Sequence, residues 1–476
     1  MANYEKVLKQ VLKKIKPKLS EERKLTNLAR KTLEITQEVS RKYNAKAILA
    51  GSLTRSTWLP GKREFDIFVV FLESLPENKL EEYGLLIGKE VIKQLKGKYT
   101  VEYAQHPYTS GTVGNVDIDI VPCYAVQSAE KIKSAVDRTP FHVRYIEKKL
   151  PISLSDEVRL LKQFLTTNKL YGADAKTQGF SGYVCELLVI RYSGFLEVLK
   201  AVTKLIPSQV VDLENHYKED EHVQLRKKFK NESLILIDPT DKNRNTASAL
   251  STENFLKFKK LAKDFLEKPD VKYFSERKLQ PITTNEFNQI QSKRKTELLL
   301  VKFIPPKVVP DILWPQLRRF GERLQDILEE TRYEFKVLRR DVYTNEKDIA
   351  VVLLEMEVFK LPPIQKRIGP SVFDIKDAAR FLEKYKKPLI GPFVEDNKWT
   401  VEIKRKFTTS HEKLLDTLKR NSDILKAKGV PNYIAEQLPK GFEIILDNKK
   451  IVKLIKKDKN FGVFLRNYFF KESLSN

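Results

Sequence analysis

The chain has 476 residues, 41% of them hydrophobic, which is enough for real cores and argues against a disordered polypeptide. Lysine and arginine number 88 against 63 acidic residues, and the resulting charge of +25 points to a polyanion, most simply nucleic acid. Two cysteines, and five histidines without metal-ligand spacing, exclude a disulfide framework and a zinc finger. No apolar run suits a membrane span or signal-peptide core, so the expectation is a cytoplasmic protein of about three domains with no membrane contact.

In chain order, Val7, Val11 and Ile15, with Leu8, Leu12 and Leu19, keep helical spacing on one face. Residues 5–42 thus predict two helices broken near Pro17, the second opening at Ser20 with Glu21 and Glu22. Ile48 to Ala50 reads as the end of a buried strand, followed by Gly51-Ser52. A glycine there lets backbone N–H groups approach a phosphate, and the serine can cap a following helix or bond a phosphate oxygen. Arg55 can add charge to the same place. Pro60-Gly61 marks a turn, and Glu64 to Phe71 then alternates as a strand. Glu64 and Asp66 share one face; Phe65, Ile67 and Val69 form the other. Paired carboxylates against an apolar layer repel each other, and a bound divalent cation is the usual resolution.

A helix over 78–95, a strand over 99–105 and a turn at Gly114-Asn115 lead to Val116–Val121, where Asp117 and Asp119 share a face. This strand is the natural source of a third carboxylate. Three carboxylates can hold two magnesium ions, which suit activation of a 3′-hydroxyl and departure of pyrophosphate. Residues 156–167 are helical in pattern, with Val158, Leu161 and Leu165 inward and Ser155 as N-cap. Arg159 and Lys162 fall on a neighbouring face, open either to phosphate or to solvent. Gly179 to Leu199 reads as one buried helix starting near Ser181, and 205–232 as a polar loop or insertion. Leu234–Ile237 reads as a buried strand ended by Asp238-Pro239, which puts Arg244 in a loop beyond it. Ser251 caps a helix at 254–267 that Pro269 stops.

A composition shift at 270–281 marks a boundary. Strand Glu297–Phe303, helix Trp314–Thr331 and strands Phe335–Val342 and Ile349–Phe359 predict an α+β sandwich with one helical face, ended by Pro362-Pro363. A helix over Phe373–Lys386, a strand over Trp399–Phe407 and a helix over His411–Lys426 follow, then the strongly basic Lys449–Lys457.

Gly51-Ser52 followed by the acidic-apolar-acidic strand resembles the polymerase-β-type nucleotidyltransferase signature. Asp119-Ile-Val-Pro-Cys-Tyr124, Ser134-Ala-Val-Asp-Arg-Thr-Pro-Phe-His142, Glu157-Val-Arg-Leu-Leu-Lys162 and Leu170-Tyr-Gly-Ala173 extend the likeness. So do Gly179-Phe-Ser-Gly-Tyr-Val-Cys-Glu-Leu-Leu188 and Asp238-Pro-Thr-Asp-Lys-Asn-Arg-Asn245. In this order the motifs resemble the archaeal-type (class I) CCA-adding enzymes, which are tRNA nucleotidyltransferases. The likeness is close over about 45–270 and weaker through Arg367-Ile-Gly-Pro370 and Lys406-Phe-Thr408. It implies an α+β multidomain fold: a polymerase-β-type head with a mixed sheet over 1–150, a helical neck over 151–275, and C-terminal α+β RNA-binding domains over 276–476. It implies template-independent addition of C, C and A to the 3′ end of tRNA from CTP and ATP. Carried over by position, Glu64, Asp66 and Asp119 are catalytic and hold two Mg²⁺ ions. Ser52 and Arg55 contact the triphosphate, His142, Lys162 and Tyr171 contact the nucleotide, and Arg244 reads the base. Glu64 stands where the wider superfamily more often has aspartate. From the residues alone, a histidine such as His142 is more often a hydrogen-bonded structural residue, Tyr171 is equally a core aromatic or a stacking platform, and Arg244 either reads a base or pairs with Asp241 or Asp238 to hold its loop. A related poly(A)-type polymerase or a non-catalytic RNA-binding protein are the alternatives, and the oligomeric state stays open, a homodimer included.

Overall fold

In a computed structural model the chain divides into two compact units, Met1–Arg277 with Ser473–Asn476, and Lys278–Glu472. The described residues are 2–474 apart from Lys62, Ala104, Arg277, Thr331, Arg332 and Glu472.

The first unit begins with helices α1 (Ala2–Ile15) and α2 (Leu19–Arg41). Val7, Val11 and Ile15 are buried as their spacing predicts, but Leu19 is 72% exposed and opens α2 outside that stripe. The N-cap of α2 is Lys18, so Ser20 lies within the helix. Strands β1 (Lys46–Ala50) and β2 (Glu64–Leu72) follow, then helix α3 (Glu77–Gln94). Strands β3 (Lys98–Tyr103), β4 (Pro107–Val113) and β5 (Val116–Ala125) complete a five-stranded sheet of order β1-β2-β5-β4-β3. β2 and β5 are parallel and the other pairs antiparallel, which makes the sheet mixed. Its apolar face buries Phe65, Ile67, Val69, Ile118 and Ile120 against Leu25 of α2 and Leu80, Ile87 and Val91 of α3. The sequence pattern gives no sign of β4: Pro-Tyr-Thr-Ser-Gly-Thr-Val has the composition of a loop. The ladder to β5 makes it a strand, closed by a turn with Gly114 at φ 64.

Helices α4 (Thr139–Lys149), α5 (Ser155–Thr167), α6 (Gly182–Tyr192) and α7 (Phe195–Lys204) come next. Strand β6 (Gln209–Val211), helix α8 (His222–Lys228), strands β7 (Leu234–Asp238) and β8 (Asp241–Asn245) and helix α9 (Thr252–Glu267) complete the unit. The single helix expected over 179–199 is two, because Ser193 adopts the left-handed conformation and ends α6. The expected loop over 205–232 contains β6, which pairs with β7, and α8. Arg244 therefore lies on β8, the second strand of a hairpin, and not in a loop. Ser251 caps α9 as expected, accepting from the Asn254 N–H. The core is aromatic: Phe164 packs on Phe195, Phe258, Phe265 and Phe274 with ring centroids between 5.6 and 6.3 Å apart.

The second unit comprises α10 (Thr284–Arg294), β9 (Glu297–Phe303), α11 (Pro310–Glu329), β10 (Lys336–Thr344) and β11 (Ala350–Val358). β12 (Ile364–Ser371), α12 (Ile375–Lys384), β13 (Ile390–Glu395) and β14 (Lys398–Lys404) follow. The last elements are α13 (Ser410–Leu418), α14 (Ser422–Ala427), α15 (Asn432–Gln437), β15 (Phe442–Ile445), α16 (Asn448–Lys457) and α17 (Lys459–Phe469). Thr331, the expected end of α11, lies outside the described residues. The helix expected over 411–426 divides into α13 and α14, with Asn421 capping the latter. The main sheet, β10-β11-β9-β15, has helices on both faces, not on one. Leu299, Val301, Val352 and Leu354 meet α11 and α13–α15, while Leu298, Leu300, Val351 and Leu353 meet α10, α16 and α17. β9 and β11 are apolar at successive positions, the mark of a strand buried on both faces. The basic run 449–457 is α16, whose Ile451, Leu454 and Ile455 are buried. β12-β14-β13 form a separate small sheet. No helix among the described residues is long and apolar enough to cross a membrane.

Candidate active site

The parallel register of β2 and β5 pairs Glu64 with Asp117 and Asp66 with Asp119. Alternation puts all four acids on the face opposite the apolar core. On the other side of β2, Ala50 of β1 pairs with Asp66, so the chain leaves β1 at Gly51 beside that carboxylate. Gly51 has φ +91, and a Cβ there would lie 3.2 Å from Asp66 Oδ2. Burial pushes the Asp66 carboxyl up to about 7, with Asp119 and Glu64 adding to the rise and Arg55 opposing it. Asp119 is also raised, first by burial, against the hydrogen bond from Ser110, its partner on β4. Asp117 is exposed and accepts from Thr112 Oγ1 at 3.0 Å. Exposure and the bond from Thr112 thus set Asp117 apart from the half-buried Asp119. Carboxylate oxygens crowded beside a glycine and pushed toward neutrality suit a hard divalent cation, whose charge would reverse both shifts.

Ser52 to Ser56 form consecutive turns with no helix after them, so Ser52 caps none; its carbonyl accepts the Thr57 N–H at 3.0 Å. Beyond the turns, Arg55 and Thr57 meet Glu186 of α6, which is 1% exposed. Arg55 Nη2 lies 3.1 Å from Glu186 Oε2, and Thr57 Oγ1 donates to Oε1 at 2.8 Å. Lys162 Nζ of α5 donates to Thr57 Oγ1 at 3.0 Å and to Glu186 Oε1 at 3.3 Å. Burial alone would raise the Glu186 carboxyl; Lys162, Arg55 and Thr57 outweigh it and hold the group below the ordinary range. Arg159, by contrast, is turned to the Trp58 carbonyl and Asp156. Ser155 does not cap α5 but donates to the Arg55 carbonyl at 3.0 Å. Tyr171 and Lys162 come together beside Gly182, where an added Cβ would lie 3.0 Å from the Tyr171 hydroxyl oxygen and 3.7 Å from Lys162 Nζ. Burial pushes the Tyr171 hydroxyl above its ordinary range.

A second group gathers on Asp238, at the end of β7 and fully buried. His142 Nε2 of α4 and Arg244 Nη1 both lie 2.8 Å from Asp238 Oδ2. Tyr183 and Thr240 donate to Oδ1. The His142 ring stacks on Tyr183 with centroids 4.1 Å apart. Burial would raise the Asp238 carboxyl, but the bonds from His142, Thr240 and Arg244 win and hold it well below the carboxylate range. Arg244 keeps a third of its side chain exposed. Helix α6 serves both groups from its first five residues: Gly182 beside Lys162 and Tyr171, Tyr183 toward Asp238, Glu186 toward Arg55 and Lys162.

The structure therefore brings Glu64, Asp66 and Asp119 together, Arg55 with Lys162 and Tyr171, and His142 with Arg244. Sequence reasoning misses the organising residues Glu186, Thr57 and Tyr183; Asp238 it offers only as a partner that holds Arg244, a pairing the structure contains. Glu186 did leave a signal, as the one charge within Tyr183-Val-Cys-Glu-Leu-Leu-Val-Ile190.

Acidic residues paired across parallel strands behind a Gly-Ser turn, on a mixed sheet with a basic cradle, define a nucleotidyltransferase. Residues 30–142 match the family described as nucleotidyltransferase domain, 156–275 the tRNA nucleotidyltransferase second domain, and 294–447 the CCA-adding enzyme C-terminal domain. Among curated proteins, the CCA-adding enzyme of Methanosarcina mazei is 36% identical over 96% of this chain and 97% of its own. That of Methanocaldococcus jannaschii is 37% identical over 90% and 93%, and that of Methanoregula boonei 34% over 90% and 89%. The chain belongs to the CCA-adding enzymes of the archaeal type.

Proposed function

We propose that the chain adds C, C and A, without a template, to the 3′ end of tRNA from CTP and ATP. The observation that carries this is the carboxylate trio set beside Gly51 and the Arg55–Lys162 cradle, in a chain that matches its family through all three domains. Glu64, Asp66 and Asp119 would hold two Mg²⁺ ions, which when bound would lower the cost of ionising the tRNA 3′-hydroxyl and of expelling pyrophosphate. Ser52, Arg55, Lys162 and Tyr171 bind the triphosphate and orient its α-phosphorus toward the attacking oxygen. His142 and Arg244, both held by Asp238, stand at the base. A guanidinium offers two donors in a fixed fork to an acceptor edge, and hydrogen-bonding groups give the largest selectivity between bases. The basic second unit takes the acceptor arm of the tRNA.

The test is primer extension on tRNA lacking its 3′ CCA, with CTP and ATP supplied singly and together. CTP alone is expected to add two residues and ATP to complete the end; a run of adenosines from ATP alone would sink the reading. Asp119→Ala is expected to lose C and A addition together while still binding tRNA. Arg244→Ala is expected to keep some transfer but change the relative use of CTP, ATP, UTP and GTP. An unchanged preference would move base reading elsewhere.

A further inference from the structure

Thr57, Lys162 and Glu186 form a closed triangle of hydrogen bonds, and Arg55 enters on the second oxygen of the same carboxylate. Two cations this deeply enclosed repel each other. One carboxylate between them offsets that repulsion, fixes their separation, and leaves the cluster with two formal positive charges against one negative. Each cation also retains a donor. An ammonium has three N–H groups, and among the described residues Lys162 uses two, on Thr57 and Glu186. Arg55 Nε is buried with no hydrogen-bond partner among them. Glu186 Oε2, 3.1 Å from Arg55 Nη2, is likewise buried without a hydrogen bond. A buried donor without an acceptor is a rarity that calls for one, and Arg55 belongs to the turns that leave β1 beside Asp66, so the fold offers the place for an acceptor next to the carboxylates.

We infer that Glu186 is a positioning residue that aims Arg55 and Lys162 at the β- and γ-phosphate oxygens of the incoming nucleotide. The inference rests on the nucleotidyl-transfer reading above. Glu186 itself touches no substrate: it lies behind the two cations. Its contribution is orientation settled before the ligand arrives, which appears as binding of the triphosphate and not of the base.

Glu186→Gln keeps the shape and an acceptor for Thr57 but removes the charge. The KM for both CTP and ATP is expected to rise about tenfold or more, while kcat changes by less than about threefold. Inhibition by inorganic tripolyphosphate weakens in parallel, whereas inhibition by CMP and AMP, which lack the outer phosphates, stays put. If Glu186 served only to hold the fold, the melting temperature would fall while properly folded enzyme kept its KM, and the inference would be overturned. A lower KM would overturn it too, by showing that the carboxylate merely repels the triphosphate. If Glu186→Gln does not fold, Thr57→Val removes the hydroxyl linking Lys162 to Glu186 without altering charge. It is expected to raise KM and weaken tripolyphosphate inhibition by about threefold, and no change in either would overturn the inference. Failure of the wild-type chain to extend tRNA would instead overturn the reaction assigned to it, a result read separately from these ratios.

Discussion

Asp238 is a single carboxylate on which His142, Arg244, Tyr183 and Thr240 all depend. Because its folded form is held below the usual carboxylate range, folding favours the ionised state. That stabilisation is present above the unfolded value near pH 4 and is lost as pH falls through the lower folded value. Asp238→Asn is therefore expected to cost roughly 3 kcal/mol at neutral pH, as buried ion pairs do when one partner is removed. In urea unfolding measured from pH 7 downward, the gap between wild type and variant should narrow below about pH 4. A gap of constant size down to pH 2 would show that the charge on Asp238 does not set the stability of this cluster. The same residue illustrates why part of the site was hidden. Arg244 and Asp238 are neighbours in sequence, but His142 reaches Asp238 across 96 positions, and no local pattern reports such a meeting.

At the scale of elements, α3 lies against the sheet on a face that includes glycine. A Cβ on Gly84 would come 2.7 Å from Pro122 Cβ on β5, the strand that carries Asp119. Two effects oppose each other in Gly84→Ala. Helix propensity favours alanine by about 1 kcal/mol, while overpacking costs about 1–3 kcal/mol. Pro122 is a stiff ring on a central strand and cannot swing aside, so overpacking should win. The variant is expected to melt several degrees lower and to lose activity as β5 shifts; a higher melting temperature would show that the helix and sheet have slack. Elements were legible where a period ran unbroken, as in β2, α5 and β9. They were not where short polar strands depend on a partner: β4 and β8 exist through their pairing with β5 and β7. The break between α6 and α7 escaped for another reason, because it depends on one serine taking a left-handed conformation.

For the whole molecule the dominant quantity is charge. At +25, tRNA affinity should fall steeply and linearly on a log–log plot against salt, as counterions are released from neutralised phosphates. Deleting residues 281–476 is expected to remove most of that slope, since those residues carry the second unit and its lysine-rich helix α16. A flat salt response in the full chain would argue against a phosphate-dominated interface.

The sequence by itself determined the chemistry available. Alternation with period two placed Glu64 and Asp66 on one face, and Gly51 marked a backbone conformation closed to other side chains. Both follow from local geometry that neighbouring residues suffice to specify. The tertiary structure decided which groups meet. Register across β2 and β5 set Asp119 opposite Asp66 and Asp117 opposite Glu64, and a helix 129 residues beyond Thr57 supplied the carboxylate beneath Arg55 and Lys162. The meetings of Asp66 with Asp119 and of Thr57 with Glu186 are fixed by strand pairing and core packing between residues distant in sequence, and for that reason composition and periodicity do not contain them.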